Sequence, residues 1–258
     1  MIGGGFSGVE TAGTLGDCLA GLGRYYPRIG AGELEVVLLQ DLDRLLPELP
    51  STLGAAALHS LRSRLIDVRL GARAVEITGE GVRLADGSLV SASTVVCTIG
   101  TRPNALLEQI NARKDRGRIV VSPDLAVPGH GGLWAVGDCA LVPNAHDGSF
   151  APPTAQFAVQ EAKLLAKNIV STLRGTPTRA FSHRSRGMMA SIGHLKGVAE
   201  VFGVPLSGLP AWLLWRAYYL SQMPTLGRKV RIFVEWTWGM FFPADITHLR
   251  FTRSREQL

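Results

Sequence analysis

The sequence predicts an α/β fold that opens with a strand–helix–strand unit, and three features of its N-terminal end support this prediction. Glycines stand in the pattern Gly3-x-Gly5-x-x-Gly8. Residues 9–22 have the composition of a helix, and residues 34–39 form the apolar run expected of the next strand. A glycine-rich turn placed between a strand and a helix is the fingerprint of a Rossmann-like, dinucleotide-binding domain.

Each glycine has a separate physical role in this fingerprint. The first forms the tight turn, the second lets a pyrophosphate approach the backbone, and the third lets the helix pack on the strand. We therefore predict that Gly3, Gly5 and Gly8 bind a dinucleotide; the alternative is a glycine-rich turn without a ligand. Only Met1 and Ile2 precede the first glycine. Because this is short for a strand, we expect a fragment or a true start that lies upstream.

The residue that ends the second strand often selects the cofactor in such folds. A carboxylate there binds the ribose 2′-hydroxyl of NADH and repels the 2′-phosphate of NADPH. This sequence has Gln40 at that position, followed by Asp41 and Arg44. A neutral amide accepts the hydroxyl without excluding the phosphate, so NADH and NADPH both stay open. The alternative is that Gln40 is an ordinary exposed residue at a strand end.

The middle of the chain predicts a helix, a small meander and another strand. Glycine-containing turns at residues 79–81 and 86–87 predict the antiparallel meander. Residues 94–99 are predicted to form a buried strand that ends at Gly100, where glycine would let the backbone approach a cofactor. A helix is predicted from Ser51 because apolar residues recur there at helical spacing: Leu53, Ala57, Leu61 and Leu65.

A second apolar strand is predicted over residues 133–140, after a strand at residues 118–121. It ends on Gly137 and Asp138. A carboxylate at a strand end beside glycine is well placed to accept hydrogen bonds from a sugar or ribityl hydroxyl. The alternative is a solvated aspartate in a turn.

The charge of the chain is unevenly distributed. Residues 1–173 hold 15 Lys and Arg against 17 Asp and Glu, whereas residues 174–258 hold 12 against 4, a balance of +8. A basic region binds nucleic acid or an anionic membrane surface, and its aromatic residues favour the membrane. The three cysteines lie far apart and the six histidines are scattered, so no metal site is predicted. No apolar run is long enough to span a bilayer.

Four motifs, taken in order, resemble the type II NADH:quinone oxidoreductases, and the resemblance covers essentially the whole chain. This family consists of peripheral-membrane flavoproteins with two dinucleotide-binding domains. The motifs are Gly3-Gly-Gly-Phe-Ser-Gly-Val-Glu10, Gly100-Thr-Arg-Pro-Asn104, Trp134-Ala-Val-Gly-Asp138 and Pro153-Thr-Ala-Gln-Phe-Ala-Val-Gln160. Their order and spacing are more specific than any single motif.

The resemblance implies roles for individual residues. The glycines of the first motif would hold the NADH pyrophosphate, and Gly100 would lie by the nicotinamide. Asp138, with Gly137, would bind the ribityl or pyrophosphate part of FAD, and Ala155 would lie against the isoalloxazine ring. The implied cofactors are therefore FAD and NAD(P)H.

The resemblance also implies a quinone site. Gln156 and Gln160 match glutamines that line the quinone pocket of the family. Glu10 matches a glutamate credited with delivering protons toward the quinone. From the sequence alone, Glu10 would be an ordinary carboxylate in the first turn of a helix.

Two features depart from the family pattern. Gln40 replaces the usual acidic residue, and the family's own N-terminal FAD fingerprint is absent from this sequence. We therefore expect the isolated chain to hold far less than one flavin. The predicted domains are residues 1–112 for NAD(P)H, 113–181 for the C-terminal part of the FAD domain and 182–258 for membrane association.

The C-terminal segment predicts a helix over residues 228–242, because these residues resemble the terminal membrane helix of the family, and residues 208–220 resemble the segment after its flavin domain. Cations cluster at the start of the predicted helix, at Arg228, Lys229 and Arg231. Cations and aromatic residues together favour an interfacial helix, although packing on its own domain is the alternative. One face of this helix is apolar: Val230, Phe233, Val234, Trp238 and Phe241.

The sequence therefore predicts an enzyme that passes hydride from NAD(P)H to FAD and electrons to a membrane quinone. We expect it at the cytoplasmic face of the cell membrane, bound to anionic lipid without crossing the bilayer, and without nucleic acid. A homodimer stays open. The alternatives are an inactive fragment that binds nucleotide or membrane without flavin, and a soluble FAD-dependent reductase.

Overall fold

The computed structural model of the chain describes residues 1–22, 25–26, 28–30, 32–64, 66–100 and 102–242. Its contacts group residues 1–99 with the described residues from Gly187 onward as one unit, and residues 100–186 as a second. The helices and strands are α1 (Phe6–Leu22), β1 (Val37–Leu39), α2 (Ser51–Arg62), β2 (Asp67–Arg69), β3 (Ala74–Thr78), β4 (Gly81–Leu84), β5 (Leu89–Ser91), β6 (Lys114–Asp115), β7 (Arg118–Val120), β8 (Ala140–Leu141), α3 (Ala155–Leu173), β9 (Gly187–Ser191), β10 (Gly197–Val201), β11 (Val204–Ser207), α4 (Leu209–Gln222) and α5 (Leu226–Phe241).

The first unit begins with the predicted strand–helix–strand arrangement. Ile2 forms single parallel bridges to Leu39 in β1 and to Cys97, and β1 pairs in parallel with β2. The carboxyl ends of these segments therefore lie at one edge of the sheet, which is where open α/β sheets bind their ligands. The predicted α/β fold is confirmed, and α1 begins at Phe6 rather than at Val9.

An apolar core joins α1, α2 and the parallel strands. The predicted inward positions of α2 are buried, because Leu53, Ala57 and Leu61 are at most 3% exposed; Leu65 lies outside the described residues. They pack in one cluster with Val9 of α1 and Leu38 of β1. The predicted meander is also confirmed, since β3, β4 and β5 form an antiparallel sheet in sequence order.

Two strand predictions in this unit need correction. The run at residues 34–39 is a strand only over β1. Residues 94–99 are not a buried strand: Cys97 forms one bridge to Ile2, and Ile99 is 60% exposed. Ile2 donates its N–H to the carbonyl of Val96 and accepts from the N–H of Thr98, and among the described residues no further strand pairing extends this contact into a ladder.

A third strand prediction, in the second unit, is also wrong. Within residues 133–140, Trp134 makes a single antiparallel bridge to Ala126, and the chain then forms a short 3₁₀ helix, Gly137–Cys139. The reason lies at Gly137, whose φ of 70° takes the backbone out of the extended conformation. The strand at residues 118–121 is confirmed as β7, which pairs with β6 and β8.

The chain returns to the first unit at its C-terminal end. The antiparallel sheet of β9, β10 and β11 and the helix α4 were not predicted, whereas the helix predicted over residues 228–242 is confirmed as α5. Arg64 ties this sheet to α1: its guanidinium donates to the Gly13 carbonyl at 3.1 Å and to the Asp17 carboxylate at 3.0 Å, and also to the Ile192 carbonyl. In the described part of the chain, no helix is long and apolar enough to cross a membrane.

Candidate functional site

The glycine-rich turn has the geometry that its sequence predicts. Gly3 has a φ of 109°, a conformation that side chains rarely adopt, and it makes the turn out of the first strand. A Cβ placed on Gly8 would lie 1.8 Å from the carbonyl oxygen of Gly3, so only glycine lets α1 approach so closely. A Cβ on Gly5 would meet nothing within 4 Å, which leaves open space above the backbone at the second glycine.

This open space fits an anionic ligand. The N–H groups in the first turn of a helix have no carbonyl partner within the helix, and they carry a partial positive charge. Since α1 starts directly after Gly5, its first turn faces the place where a pyrophosphate would approach the turn. The residues present therefore fit the phosphate part of a dinucleotide.

Gln40 is buried, not exposed as the alternative interpretation would have it, with 5% of its surface accessible. Its Oε1 accepts a hydrogen bond from the Gly4 N–H at 2.9 Å, and its Nε2 donates to the carbonyl of Arg44 at 3.2 Å. The side chain thus ties the glycine-rich turn to the loop that follows β1. Its role toward the ribose stays a prediction.

Glu10 lies in α1, at the place where the C-terminal elements pack against that helix. Its carboxylate accepts a hydrogen bond from the Ser191 N–H of β9 at 2.9 Å. Burial raises the pKa of Glu10, while the Ser191 N–H and the indole of Trp215 act in the opposite direction. The Trp215 Nε1 makes no hydrogen bond of ordinary geometry to any described atom, so we regard its interaction with the carboxylate as electrostatic.

Aromatic residues of α4 surround this carboxylate. Burial raises the pKa of the Tyr219 hydroxyl, and the negative charge of Glu10 raises it further. The rings of Trp215 and Tyr219 lie 4.7 Å apart, and Trp215 stacks on Trp236 of α5. The sequence identified Glu10 but not these neighbours, because nothing local links α1 to residues about two hundred positions later.

In the second unit, the Gly137–Asp138 turn is held from beneath by α3. The Gly137 N–H donates to the Oε2 of Glu161 at 2.7 Å, while Asp138 is exposed. Among the residues that the structure describes, the Asp138 carboxylate has no hydrogen bond or ion pair. An exposed, unpaired carboxylate fits the prediction that Asp138 accepts hydrogen bonds from a hydroxyl-bearing ligand.

Glu161 was missed by the sequence reasoning. It is 2% exposed, and burial is the main cause that raises its pKa. The Gly137 N–H and the positive charge of Arg118 lower it, and the negative charge of Asp138 raises it. In the sequence, Glu161 follows Gln160 on a helix and resembles any solvated glutamate, so its role depends on a contact that only the fold creates.

We expect Glu161 to make stability depend on pH. Because the pKa of Glu161 is raised, its carboxyl group binds a proton more tightly in the folded chain than in the unfolded chain. The contribution of Glu161 to the free energy of unfolding therefore falls as the pH rises from 4.5, the usual pKa of a glutamate, through the pKa of the folded state. Glu161→Gln should reduce this dependence and keep an acceptor for Gly137. Glu161→Ala should cost about 1–3 kcal/mol by leaving that N–H unpaired.

Urea unfolding of these variants between about pH 4 and pH 9 measures the effect. Exposed Glu108 of the same unit gives the control Glu108→Gln. An identical pH dependence in the wild type and in Glu161→Gln would contradict this prediction.

The other predicted residues of the second unit lie on α3 or at the start of the unit. Ala155, the first residue of α3, is exposed, while Gln156 and Gln160 are half-buried. The Oε1 of Gln156 accepts a hydrogen bond from the Ser185 hydroxyl at 3.3 Å. Gly100 has a φ of 69° with open space around its Cβ position. The structure therefore brings Gly137, Asp138 and α3 together, whereas the roles of these residues stay predictions.

The turn geometry and the sheet edge define a class of protein. Residues 1–162 match the pyridine nucleotide-disulphide oxidoreductase family, and the chain belongs to this family. Among its curated relatives is a protein of Dictyostelium discoideum named as a probable NADH dehydrogenase, which is 30% identical over 96% of this chain. The type II NADH:quinone oxidoreductase of Mycobacterium tuberculosis is 29% identical over 92% of it.

These relatives confirm the resemblance inferred from the four motifs. The chain spans about half of their length, since the matches cover 55% and 53% of the two relatives. Among solved structures, the NDH2 of Plasmodium falciparum in complex with NADH superposes with a TM-score of 0.82 over 93% of this chain and 65% of that one. At 16% identity, this similarity supports the fold alone.

Proposed function

We propose that this chain forms the nucleotide-binding domain and part of the flavin domain of a type II NADH:quinone oxidoreductase. The observation that carries the proposal is the geometry of the glycine-rich turn. Gly8 packs directly against the carbonyl of Gly3, while the space above the backbone of Gly5 is unoccupied. The name of one relative supplies the reaction, in which electrons pass from NADH to a quinone. Residues 1–112 are proposed to bind NAD(P)H and residues 113–181 to contribute to the FAD domain.

The residues divide into groups by the part of each ligand they would hold. Gly3, Gly5 and Gly8 would bind the pyrophosphate of NAD(P)H through backbone N–H groups, and Gly100 would leave room at the nicotinamide. Asp138 would accept hydrogen bonds from the ribityl or pyrophosphate part of FAD. Ala155, whose side chain is a single methyl group, would leave room beside the flavin ring. When bound, FAD supplies the hydride and electron chemistry.

The proposal also assigns residues to the binding of a quinone and of a membrane surface. Gln156 and Gln160 would donate hydrogen bonds to quinone oxygens, and Glu10 would hold a proton for them. Burial raises the pKa of Glu10, the direction that favours a group able to hold a proton and pass it on. Residues 182–258 would bind an anionic membrane at its cytoplasmic face, through the exposed apolar side of α5.

The proposal is tested by supplying the chain with an excess of FAD, because the isolated chain is expected to hold far less than one flavin, and by following flavin absorbance. NADH should bleach the flavin, and a water-soluble quinone should restore its colour. Glu10→Gln should leave bleaching unchanged and slow reoxidation by roughly 10²-fold or more, the scale of general acid catalysis. A chain that binds neither NADH nor FAD is an inactive fragment, and quinone turnover that is unchanged in Glu10→Gln removes that residue from the mechanism.

A further inference from the structure

A cavity of 330 Å³ opens beside the parallel sheet of the first unit, and two arginines line it. Arg69 ends β2, and Arg73 lies on the segment that leads into β3. The opposite wall is the β4–β5 turn, which contributes Asp86 and Ser88. None of these residues belongs to the glycine-rich turn or to the predicted flavin and quinone sites.

Backbone hydrogen bonds place this cavity directly beside Gln40. The Gln40 N–H donates to the carbonyl of Arg69 at 2.9 Å, and the Ala72 N–H donates to the carbonyl of Gln40 at 2.8 Å. The segment that carries both arginines is thus fixed to the strand end at which a dinucleotide-binding fold holds the adenosine ribose. The cavity is therefore adjacent to the strand end at which the ribose 2′-oxygen is held in this type of fold.

The charges in and around the cavity leave one guanidinium free. Arg73 is exposed, and its side chain forms no ion pair or hydrogen bond within the described residues. Arg69 pairs with Asp67 at 2.8 Å. Asp86 already accepts hydrogen bonds from the Ser88 N–H at 2.9 Å and from its hydroxyl at 2.6 Å, and Asp41 is exposed beside Gln40.

We propose that this cavity binds the 2′-phosphate of NADPH. Arg73 would be the main phosphate ligand, and Arg69 would add a second positive charge beside it. This inference rests on the proposed nucleotide-binding function. A planar guanidinium binds the oxygens of a phosphate monoester through two parallel hydrogen bonds, and Arg73 has no internal partner to give up. The neutral Gln40 removes the carboxylate that would repel the phosphate.

The test is calorimetric titration of the full chain with NADPH, NADH, 2′,5′-ADP and 5′-ADP. The wild type should bind NADPH more tightly than NADH, and 2′,5′-ADP more tightly than 5′-ADP; inorganic phosphate is titrated as well. Arg73→Gln should weaken NADPH and 2′,5′-ADP by about tenfold or more, the loss expected for one charge-assisted hydrogen-bonding partner, and leave NADH and 5′-ADP unchanged. Exposed Arg83, which pairs with Glu76 outside the cavity, provides the control variant Arg83→Gln.

The outcomes separate this inference from the proposed function. If NADH binds but Arg73→Gln changes NADPH and NADH equally, or changes neither, the phosphate site is wrong and the nucleotide function stands. If inorganic phosphate binds at the cavity while NADPH shows no advantage over NADH, the site serves free phosphate and the inference is overturned. If no nucleotide binds to the wild type, both proposals are wrong.

Discussion

Gly8→Ala is expected to destabilise the first unit and to abolish dinucleotide binding. The added methyl group would lie 1.8 Å from the carbonyl oxygen of Gly3 and 2.9 Å from its carbonyl carbon. Both atoms belong to the backbone of the turn, so no flexible side chain can move aside. Overpacking of this kind costs about 1–3 kcal/mol and occasionally more, and we expect the upper end because α1 itself must shift.

Gly5→Ala separates folding from ligand binding at the same turn. Nothing lies within 4 Å of the Cβ position at Gly5, so the free chain should accept alanine with little change in stability. The methyl group would occupy the space in which a pyrophosphate approaches the backbone. We therefore expect normal unfolding but nucleotide affinity lower by about 2 kcal/mol, or roughly thirtyfold.

Chemical denaturation and nucleotide fluorescence titration of both variants measure these effects. Gly79→Ala is a matched control, because Gly79 is exposed and its Cβ position is also open. If Gly8→Ala unfolds like the wild type, the close packing of α1 on the turn is not required. If Gly5→Ala binds nucleotide as well as Gly79→Ala does, the open space at Gly5 is not the phosphate site.

The success of the sequence analysis at this turn has a physical reason. The fingerprint is local, and each glycine acts on atoms only a few residues away, so the sequence contains most of the information that the geometry needs. The same holds for α2, where burial of Leu53, Ala57 and Leu61 follows the helical spacing. The α/β class was predictable for this reason, whereas α5 was predicted from its resemblance to the terminal helix of the family.

The predictions that were wrong depended on partners that a local pattern does not specify. Residues 94–99 have the composition of a strand, but within the described part of the chain they form a single bridge, from Cys97 to Ile2. Residues 133–140 are apolar, yet the positive φ of Gly137 turns the chain into a 3₁₀ helix. Composition reports the tendency to form a strand, whereas a strand exists only where a neighbour supplies hydrogen bonds.

The polar contacts at the candidate sites were hidden for a related reason. Glu161 meets Gly137 across 24 residues of sequence, and Glu10 meets Ser191 across 181. Neither pairing leaves a spacing or a periodicity that a reader of the sequence could detect. Two carboxylates of ordinary appearance thus become buried groups with raised pKa values, and only the fold distinguishes them from solvated glutamates.

The replacement of Phe233 and Trp238 by aspartate is expected to remove the chain from anionic vesicles. In α5, Trp236 stacks on Trp215 of α4, while two other large apolar side chains of the helix are open to solvent: Phe233 is 58% exposed and Trp238 63%. The Trp238 ring stacks on Phe242 with 4.0 Å between the ring centroids, and Phe233 and Trp238 still expose more than half of their surface. Contact with lipid would bury both side chains.

The size of the effect follows from the burial of these side chains. Burying a large apolar side chain contributes about 1.5–3 kcal/mol, so loss of two should lower vesicle affinity by at least about a hundredfold. Basic residues such as Arg228 and Arg231 add about 1 kcal/mol each near anionic lipid, and salt screens that part. High salt alone should therefore release the wild type only partly, because the apolar contribution persists.

Co-sedimentation with vesicles that contain phosphatidylserine, at low and high ionic strength, measures both contributions. Val75→Asp/Ile77→Asp is the matched control, since it introduces the same two charges at side chains of β3 that are 56% and 54% exposed. Circular dichroism of each variant shows whether α5 stays folded. If the α5 variant sediments like the β3 control, this helix does not insert into lipid, and the main reason to prefer a membrane quinone over a soluble acceptor is lost.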